Sequence, residues 1–281
     1  MSRIQLIADC GATKSEWSLV KNGKVKTIIT QGISPYFLNG QQIQELLRLE
    51  LLPSLKKEAI DEVHYYGTGC ANPDNAKLVK KALKPLFPGA DVEVNHDLLA
   101  AARALCGRGS GIACILGTGS NSCSYNGKRI MKNSPGLGYV LGDEGSGAYL
   151  GKKVIQYYLY GTFDEELKGR FELTYPGISA SEILENVYKK PLPNRYLAAF
   201  TGFLVENRGH YMIENIIEDG LNDFFFNHLC KYKEVWRQPV HFAGSVGFGF
   251  KDVLQQLCAS YEFELGNVLK KPMTGLIKYH S

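Results

Sequence analysis

The sequence lacks the features of membrane-spanning, exported and disulfide-rich proteins. No apolar run approaches the roughly 20 residues that a membrane-spanning helix needs. The N-terminus enters a strand pattern without the basic segment and long apolar stretch of a signal peptide. The seven cysteines are scattered and include no CxxC pair, so neither a disulfide framework nor a zinc ribbon is indicated. We therefore expect a cytoplasmic protein with reduced thiols and no membrane partner.

The sequence also lacks a concentration of positive charge. The formal net charge is only +4, and the lysines and arginines are dispersed. A nucleic-acid-binding surface typically shows a basic stripe. The densest basic stretch, residues 77–84, has the spacing of a solvated helix face. We expect no nucleic-acid partner, while a homodimer remains open.

What the chain does contain is an ordinary globular composition, with 44% hydrophobic and 21% charged residues over a length of 281. That length suits one large domain or two of ordinary size. The first 108 residues read as three strands followed by helix, strand, helix, strand and helix, with a hairpin predicted at Asn22-Gly23. This order is typical of a layered α/β unit.

The pattern then begins again. Residues 7–13 and 115–121 both read as an apolar strand, a glycine turn and a hydroxyl or amide, 108 residues apart. This offset is too long for a solenoid repeat, so it predicts two related halves. The second half contains a mainly helical region over about 144–232 and a hairpin at Asn126-Gly127. A strand over 239–244 follows it, and no low-complexity linker separates the halves.

The two matched glycine turns indicate a phosphate-binding function. Glycine lets successive backbone N–H groups converge on an anion, and two such turns suit a polyphosphate. Asp9 stands directly before the first turn, where it would hold Mg²⁺ through water. One turn alone would read as a polar hairpin, whereas two matched turns favour phosphate binding and phosphoryl transfer.

Two further positions allow both a structural and a functional interpretation. Asp97 ends a predicted strand and opens a helix, so it suits either a helix cap or a general base at a strand's carboxyl end. The glycine cluster over 242–250 follows a strand and precedes a helix. It suits either a simple strand-to-helix turn or a nucleoside-covering segment, and alone it is a weak indication.

A glycine-rich stretch over residues 135–155 is the most distinctive part of the sequence. Five glycines lie between Gly136 and Gly147, and Asp143 and Glu144 stand at a predicted helix N-terminus. Carboxylates there favour the helix dipole. They would also suit a clamp for the hydroxyls of a sugar.

Together these motifs resemble the N-acetylglucosamine kinase-like branch of the BadF/BadG/BcrA/BcrD ATPase family, within the actin-like superfamily. The resemblance covers nearly the whole chain, in the family's order, through "DCGATKSEWSLV", "GTGC", "NHDLLAAARA", "ILGTGSNS", "GLGYVLGDEGSGAYLG" and "FAGSVGFGF". It implies an α/β fold of two ribonuclease-H-like lobes with a nucleotide cleft between them. The first lobe would comprise residues 1–108 joined by a C-terminal helix over about 266–281, and the second residues 109–265.

The resemblance also implies ATP, Mg²⁺ and a small amino-sugar substrate, with Asp97 as the general base. By it, the ATP and Mg²⁺ sites comprise Asp9, Gly11, Ala12, Thr13, Lys14, Gly117, Thr118, Gly119, Asn121, Gly244, Ser245 and Gly247. The implied sugar contacts, besides Asp97, are Thr68, Gly69, Gly138 and Asp143. Residues 32–40 offer Ser34 and Tyr36 where relatives place an Asn against the sugar, so the identity of the sugar stays open.

The leading hypothesis is therefore an ATP-dependent kinase for a hydroxyl of an amino sugar. A second hypothesis is an ATPase that activates a partner redox enzyme, as in other branches of the family, although their cluster cysteines cannot be placed on this sequence. A third is a non-catalytic sensor of a sugar or nucleotide. Sugar-dependent turnover, sugar-independent hydrolysis and binding without turnover distinguish the three.

Overall fold

The computed structural model describes residues 3–11, 14–56 and 58–281, and the chain divides into two compact units. The first unit comprises Met1–Arg108 and Lys271–Ser281, and the second comprises Gly109–Lys270. In the part of the chain that is described, each unit contains one five-stranded sheet. The mixed α/β fold predicted from the sequence is confirmed.

The sheet of the first unit begins with an antiparallel meander and continues with parallel strands. Its strands lie in the order β3-β2-β1-β4-β5, and the last three are parallel. They are β1 (Gln5–Cys10), β2 (Lys14–Lys21), β3 (Lys24–Gln31), β4 (Glu62–Gly67) and β5 (Asp91–His96). Asn22 and Gly23 have φ values of 52° and 73°, which confirms the predicted two-residue hairpin.

Three helices of the first unit follow its strands: α1 (Gly40–Glu50), α2 (Pro73–Leu83) and α3 (Asp97–Cys106). Asn39 begins α1 with a capping box shared with Gln42. Helix α1 ends at Glu50. Leu52–Leu55 forms a 3₁₀ turn there, because Pro53 has no N–H to continue the α-helical hydrogen bonds.

The second unit repeats the strand order of the first. Read from its antiparallel meander, the sheet runs β8-β7-β6-β9-β10, and the last three strands are parallel. The strands are β6 (Ser110–Leu116), β7 (Ser120–Asn126), β8 (Ile130–Ser134), β9 (Val240–Ala243) and β10 (Leu265–Leu269). The turn after Asn126 is longer than an Asn-Gly hairpin, because the Asn126 side chain accepts hydrogen bonds from the N–H groups of Lys128 and Arg129.

Helices form most of the region between β8 and β9, and further helices lie between β9 and β10. They are α4 (Gly138–Leu141), α5 (Gly147–Leu159), α6 (Glu165–Thr174), α7 (Ala180–Tyr188), α8 (Pro193–Ala199), α9 (Thr201–Glu206), α10 (Tyr211–Asn227), α11 (Ser245–Gly249) and α12 (Lys251–Ser260). Their core is rich in aromatic side chains, such as Phe171, Phe203 and Phe224, which pack with strand residues of the second sheet. Across residues 3–11, 14–56 and 58–281, no helix has the length and apolarity to cross a membrane.

The chain returns to the first unit later than the sequence suggests. The predicted boundary near residue 266 would divide β10, but this strand pairs in parallel with β9 and belongs to the second sheet. The returning segment therefore begins at Lys271 and forms α13 (Met273–His280).

Helix α13 packs closely on α3. A Cβ atom added to Gly275 would lie 2.3 Å from the carbonyl oxygen of Ala104. At the end of α13, His280 Nε2 lies 2.8 Å from the hydroxyl of Tyr66, which also accepts a hydrogen bond from Arg103. Backbone contact and side-chain bonds thus hold the C-terminal segment on the first unit.

We expect Gly275→Ala to lower the free energy of unfolding by about 1–3 kcal/mol, because the helix backbone must move away from Ala104. The matched control is Gly169→Ala in the middle of α6, where an added Cβ meets nothing within 4 Å. That variant is expected to gain about 0.5–1 kcal/mol from helix propensity. Urea denaturation measures both, and equal stabilities of the two variants would contradict the packing at Gly275.

Candidate functional site

In the first unit, polar groups gather at the carboxyl ends of the parallel strands. Cys10, Gly67 and His96 are register partners at the ends of β1, β4 and β5. The N–H of Thr68 donates to the carbonyl of Cys10 over 3.0 Å. Asp9 directly precedes Cys10 in β1, and Asp97 directly follows His96, the last residue of β5. The predicted base, metal-holding acid and one predicted sugar residue therefore lie at one edge of the sheet.

The carboxylate of Asp9 stands among other acids. The antiparallel register of β1 and β2 places Glu16 opposite Asp9. Burial, followed by the charges of Asp97 and Glu16, raises the pKa of Asp9 from 3.8 to about 6. The ammonium of Lys271, 2.7 Å from Glu16 Oε2, acts in the opposite sense on the pKa of Asp9.

This donor set fits Mg²⁺. A cation beside Asp9 would relieve the repulsion among the carboxylates of Asp9, Asp97 and Glu16. Carboxylate oxygen is also a ligand that Mg²⁺ prefers. Within the described ranges, no group of three or more His, Cys, Asp or Glu side chains could hold a metal ion. Asp9 would therefore act together with water and phosphate oxygens, as Mg²⁺ sites of phosphoryl-transfer enzymes commonly do.

Asp97 combines a structural contact with an available oxygen. It begins α3, and its Oδ1 accepts a hydrogen bond from the N–H of Leu98 over 2.8 Å. Its Oδ2 makes no hydrogen bond to another residue of the described ranges. Burial, followed by the charge of Asp97, raises the pKa values of both Asp9 and Cys70. The helix-end contact orients Asp97 without occupying both oxygens.

The loop after β4 carries the predicted sugar residues Thr68 and Gly69. Gly69 has a φ of 76°, and an added Cβ would lie 2.9 Å from the ring of Tyr36. Tyr36 is 66% exposed, so its ring covers Gly69 while keeping much of its surface open to solvent. The segment that departs from the family pattern thus packs directly on a predicted sugar-binding residue.

In the second unit, the turn Gly117–Gly119, hereafter the second glycine turn, is held by the start of α5. Gly117 donates to the carbonyl of Gly119 over 3.0 Å. The N–H groups of Gly147 and Ala148 donate to the carbonyls of Gly117 and Thr118 over 2.8 and 3.0 Å. The helix start therefore sets the conformation of the turn.

Asp143 lies against this turn. Its Oδ1 accepts a hydrogen bond from the N–H of Ser120 over 3.3 Å, and a Cβ on Gly119 would approach its Oδ2 to 3.1 Å. Asp143 adopts a left-handed φ of 57°, and burial raises the pKa of its carboxyl. Gly138, the other predicted sugar residue of this unit, begins α4 with a φ of 74°.

The predicted adenosine segment packs on the same strand end. Gly244 joins β9 to α11 with a φ of 123°, and an added Cβ would lie 2.2 Å from the carbonyl oxygen of Leu116. Gly247, two residues after Ser245, would place its Cβ 3.4 Å from the Leu116 side chain. Only glycine fits at position 244. The second glycine turn and this segment therefore lie together at the end of β6.

The remaining predicted residues have more ordinary surroundings. Asn121 Oδ1 accepts hydrogen bonds from the N–H of Ser122 and the side-chain amide of Asn133. Lys14 begins β2 with an exposed side chain, and its carbonyl accepts a hydrogen bond from the N–H of Gly11 over 3.0 Å. Ala12 and Thr13, predicted for the first phosphate loop, lie outside the described residues.

Sequence reasoning missed Glu16 and Lys271. Glu16 had a detectable indication, because the antiparallel pairing of β1 with β2 places it opposite Asp9. Lys271 had none, since it is 255 positions from its partner Glu16.

Comparison with known proteins gives the family. No family profile matches the chain, and no curated protein matches it. A solved structure of a candidate N-acetylglucosamine kinase from Porphyromonas gingivalis is 42% identical, with 98% of each chain covered and a TM-score of 0.92.

Two more distant structures show the fold alone. A candidate N-acetylglucosamine kinase from Chromobacterium violaceum is 17% identical, covers 99% of each chain and has a TM-score of 0.76. MreB 5 of Spiroplasma citri is 9% identical, covers 100% of this chain and 95% of its own, and has a TM-score of 0.60. These similarities confirm the predicted actin-like ATPase fold. With 42% identity over 98% of both chains, the chain belongs to the N-acetylglucosamine kinase-like family.

Proposed function

We propose that this protein transfers the γ-phosphoryl group of ATP to a hydroxyl of an amino sugar. The observation that carries the proposal is the pair of carboxylates, Asp9 and Asp97, at one edge of the first sheet. The P. gingivalis protein, named as a candidate N-acetylglucosamine kinase, supports N-acetylglucosamine as the first sugar to test.

Asp97 acts as the general base in this proposal. Its Oδ1 is held by the N–H of Leu98, and Oδ2 accepts the proton of the sugar hydroxyl. The hydroxyl oxygen forms a bond to the γ-phosphorus as the bond to the β–γ bridging oxygen breaks. ADP leaves with that electron pair, and the proton remains on Asp97.

Asp9 and the glycine turns serve nucleotide binding. Bound Mg²⁺, held by Asp9 through water, supplies neutralisation of the charge on the β- and γ-phosphates. The first loop around Gly11 and the second glycine turn donate backbone N–H groups to phosphate oxygens. Gly244 and Gly247 let this segment pack on Leu116 at the end of β6, beside the second glycine turn, and the segment is proposed to cover adenosine.

Thr68, Gly69, Gly138 and Asp143 are proposed to contact the sugar. Tyr36 extends this set in the first unit, because its exposed ring packs on Gly69. An aromatic ring offers an apolar face to a sugar together with a hydroxyl that forms hydrogen bonds. Ser34 is buried, and its carbonyl accepts hydrogen bonds from the N–H groups of Phe37 and Leu38, which shape the loop that carries Tyr36.

The test is ADP release with Mg-ATP across amino sugars and neutral hexoses. We expect turnover that depends on an amino sugar, with N-acetylglucosamine, glucosamine and N-acetylmuramic acid as the first three. Sugar-independent hydrolysis would contradict the proposal and favour an ATPase that activates a partner redox enzyme. Tight binding without turnover would contradict it in favour of a sensor.

A further inference from the structure

The segment that follows α4 packs on the long helix α10 through a glycine. Gly145 has a φ of 69°, and an added Cβ would lie 2.9 Å from Cβ of Phe224 and 3.4 Å from the carbonyl oxygen of Gly220. No side chain fits at this contact. The backbone immediately after Asp143 is therefore pressed against one face of α10.

A buried histidine at the end of α10 binds the neighbouring acid. His228 Nε2 lies 3.1 Å from Glu144 Oε2, and His228 is only 5% exposed. Its ring stacks on Phe224 with centroids 4.8 Å apart. Its Nδ1 is buried and has no hydrogen-bond partner among the described residues. The function derived above uses neither Glu144 nor His228.

The contact with Glu144 determines which group donates. Nε2 carries a proton there, since a carboxylate only accepts hydrogen bonds. His228 therefore acts as a fixed donor to Glu144.

The two residues that make these contacts directly follow Asp143, which has an uncommon backbone conformation. Asp143 has a left-handed φ of 57°, a conformation that non-glycine residues adopt uncommonly. Glu144 is tied to His228, and Gly145 is wedged on Phe224. With the next two residues held in place, Asp143 directs its carboxylate to the N–H of Ser120, at the end of the second glycine turn.

We infer that His228 is a positioning residue for the second glycine turn, acting through its hydrogen bond to Glu144 and the left-handed conformation of Asp143. The residue that ends α10 thereby sets the geometry of a turn that lies far from it in the sequence. The consequence for nucleotide phosphate binding rests on the proposed function of the turn.

The test compares three variants. His228→Met removes the donor and keeps an apolar side chain in the core, whereas His228→Gln keeps a donor near the position of Nε2. The matched control is His210→Met, which breaks a His–carboxylate contact of 3.0 Å to Asp164 at the opposite end of α10. Two readouts are used: hydrogen exchange of the Ser120 amide and the dissociation constant for Mg-ADP.

We expect His228→Met to speed exchange of the Ser120 amide, relative to global stability, and to weaken Mg-ADP binding, each about tenfold for one lost charge-assisted hydrogen bond. His228→Gln should stay within about threefold of the parent protein in both readouts, since its donor is kept. His210→Met should leave both readouts unchanged. Nitrogen-15 spectra should show a proton on Nε2 of His228.

Unchanged Ser120 exchange in His228→Met would overturn the inference, and so would equal changes in His210→Met. Absence of a proton on His228 Nε2 would overturn it as well. Failure of the proposed function is distinguishable, because it appears as absent sugar phosphorylation by the parent protein. The exchange of Ser120 would then still report on His228.

Discussion

Replacing Asp97 by Asn is expected to abolish sugar phosphorylation while nucleotide binding stays unchanged. An amide cannot take the proton of the attacking hydroxyl, so kcat should fall by about 10²–10⁴-fold. The Asn side chain still offers an oxygen to the N–H of Leu98, so the start of α3 is preserved. The loss should therefore appear in turnover and not in stability.

The measurement is steady-state turnover beside calorimetric titration with Mg-ADP. The control is Asp91→Asn, which lies at the exposed opposite end of β5 and should keep full activity. An Asp97→Asn variant that retains turnover within threefold of the parent would show that another group takes the proton.

Replacing Asp9 by Asn is expected to weaken the use of Mg-ATP and, at neutral pH, to stabilise the protein without ligand. The pKa of Asp9 is about 6 in the folded protein against 3.8 as its ordinary value. The folded state therefore favours the protonated carboxyl. The protonated carboxyl of Asp9 contributes fully to the stability of the folded protein below about pH 4. This contribution is lost as the pH rises through about 6.

At pH 7.5 the Asn variant avoids this loss, which we place at about 1–3 kcal/mol. Urea denaturation without Mg²⁺ from pH 4 to pH 8 measures it, with Asp74→Asn on the exposed start of α2 as control. The same Asp9→Asn variant should need at least about tenfold more Mg-ATP for half-maximal turnover, since one charged ligand is lost. Parallel stability profiles of parent and Asp9→Asn would contradict the carboxylate cluster.

The first sheet could be predicted because its information is local. Short apolar strands and the Asn22-Gly23 turn define the meander, and parallel strands place Asp9 and Asp97 at one edge. The return at Lys271 could not be predicted. Whether residues 265–269 join the second sheet depends on pairing with β9, and the flanking residues do not encode that pairing.

For the candidate site, the residue types at strand ends indicated which positions gather there. The sequence did not indicate which side chains contact one another. The glycine at 244 is required by a contact with Leu116, and a turn was predicted there without that contact. His228 and Glu144 are 84 positions apart, so no local pattern links them. The same holds for Lys271 and Glu16. The roles of Ala12 and Thr13 stay predictions.

Product analysis tests the central claim most directly. The protein is incubated with Mg-ATP and N-acetylglucosamine, and the sugar and phosphate products are identified by mass spectrometry and phosphorus NMR. We predict a sugar monophosphate in equal amount to ADP, formed by the parent protein and absent with Asp97→Asn. ADP accompanied by free phosphate and unmodified amino sugars would contradict the account.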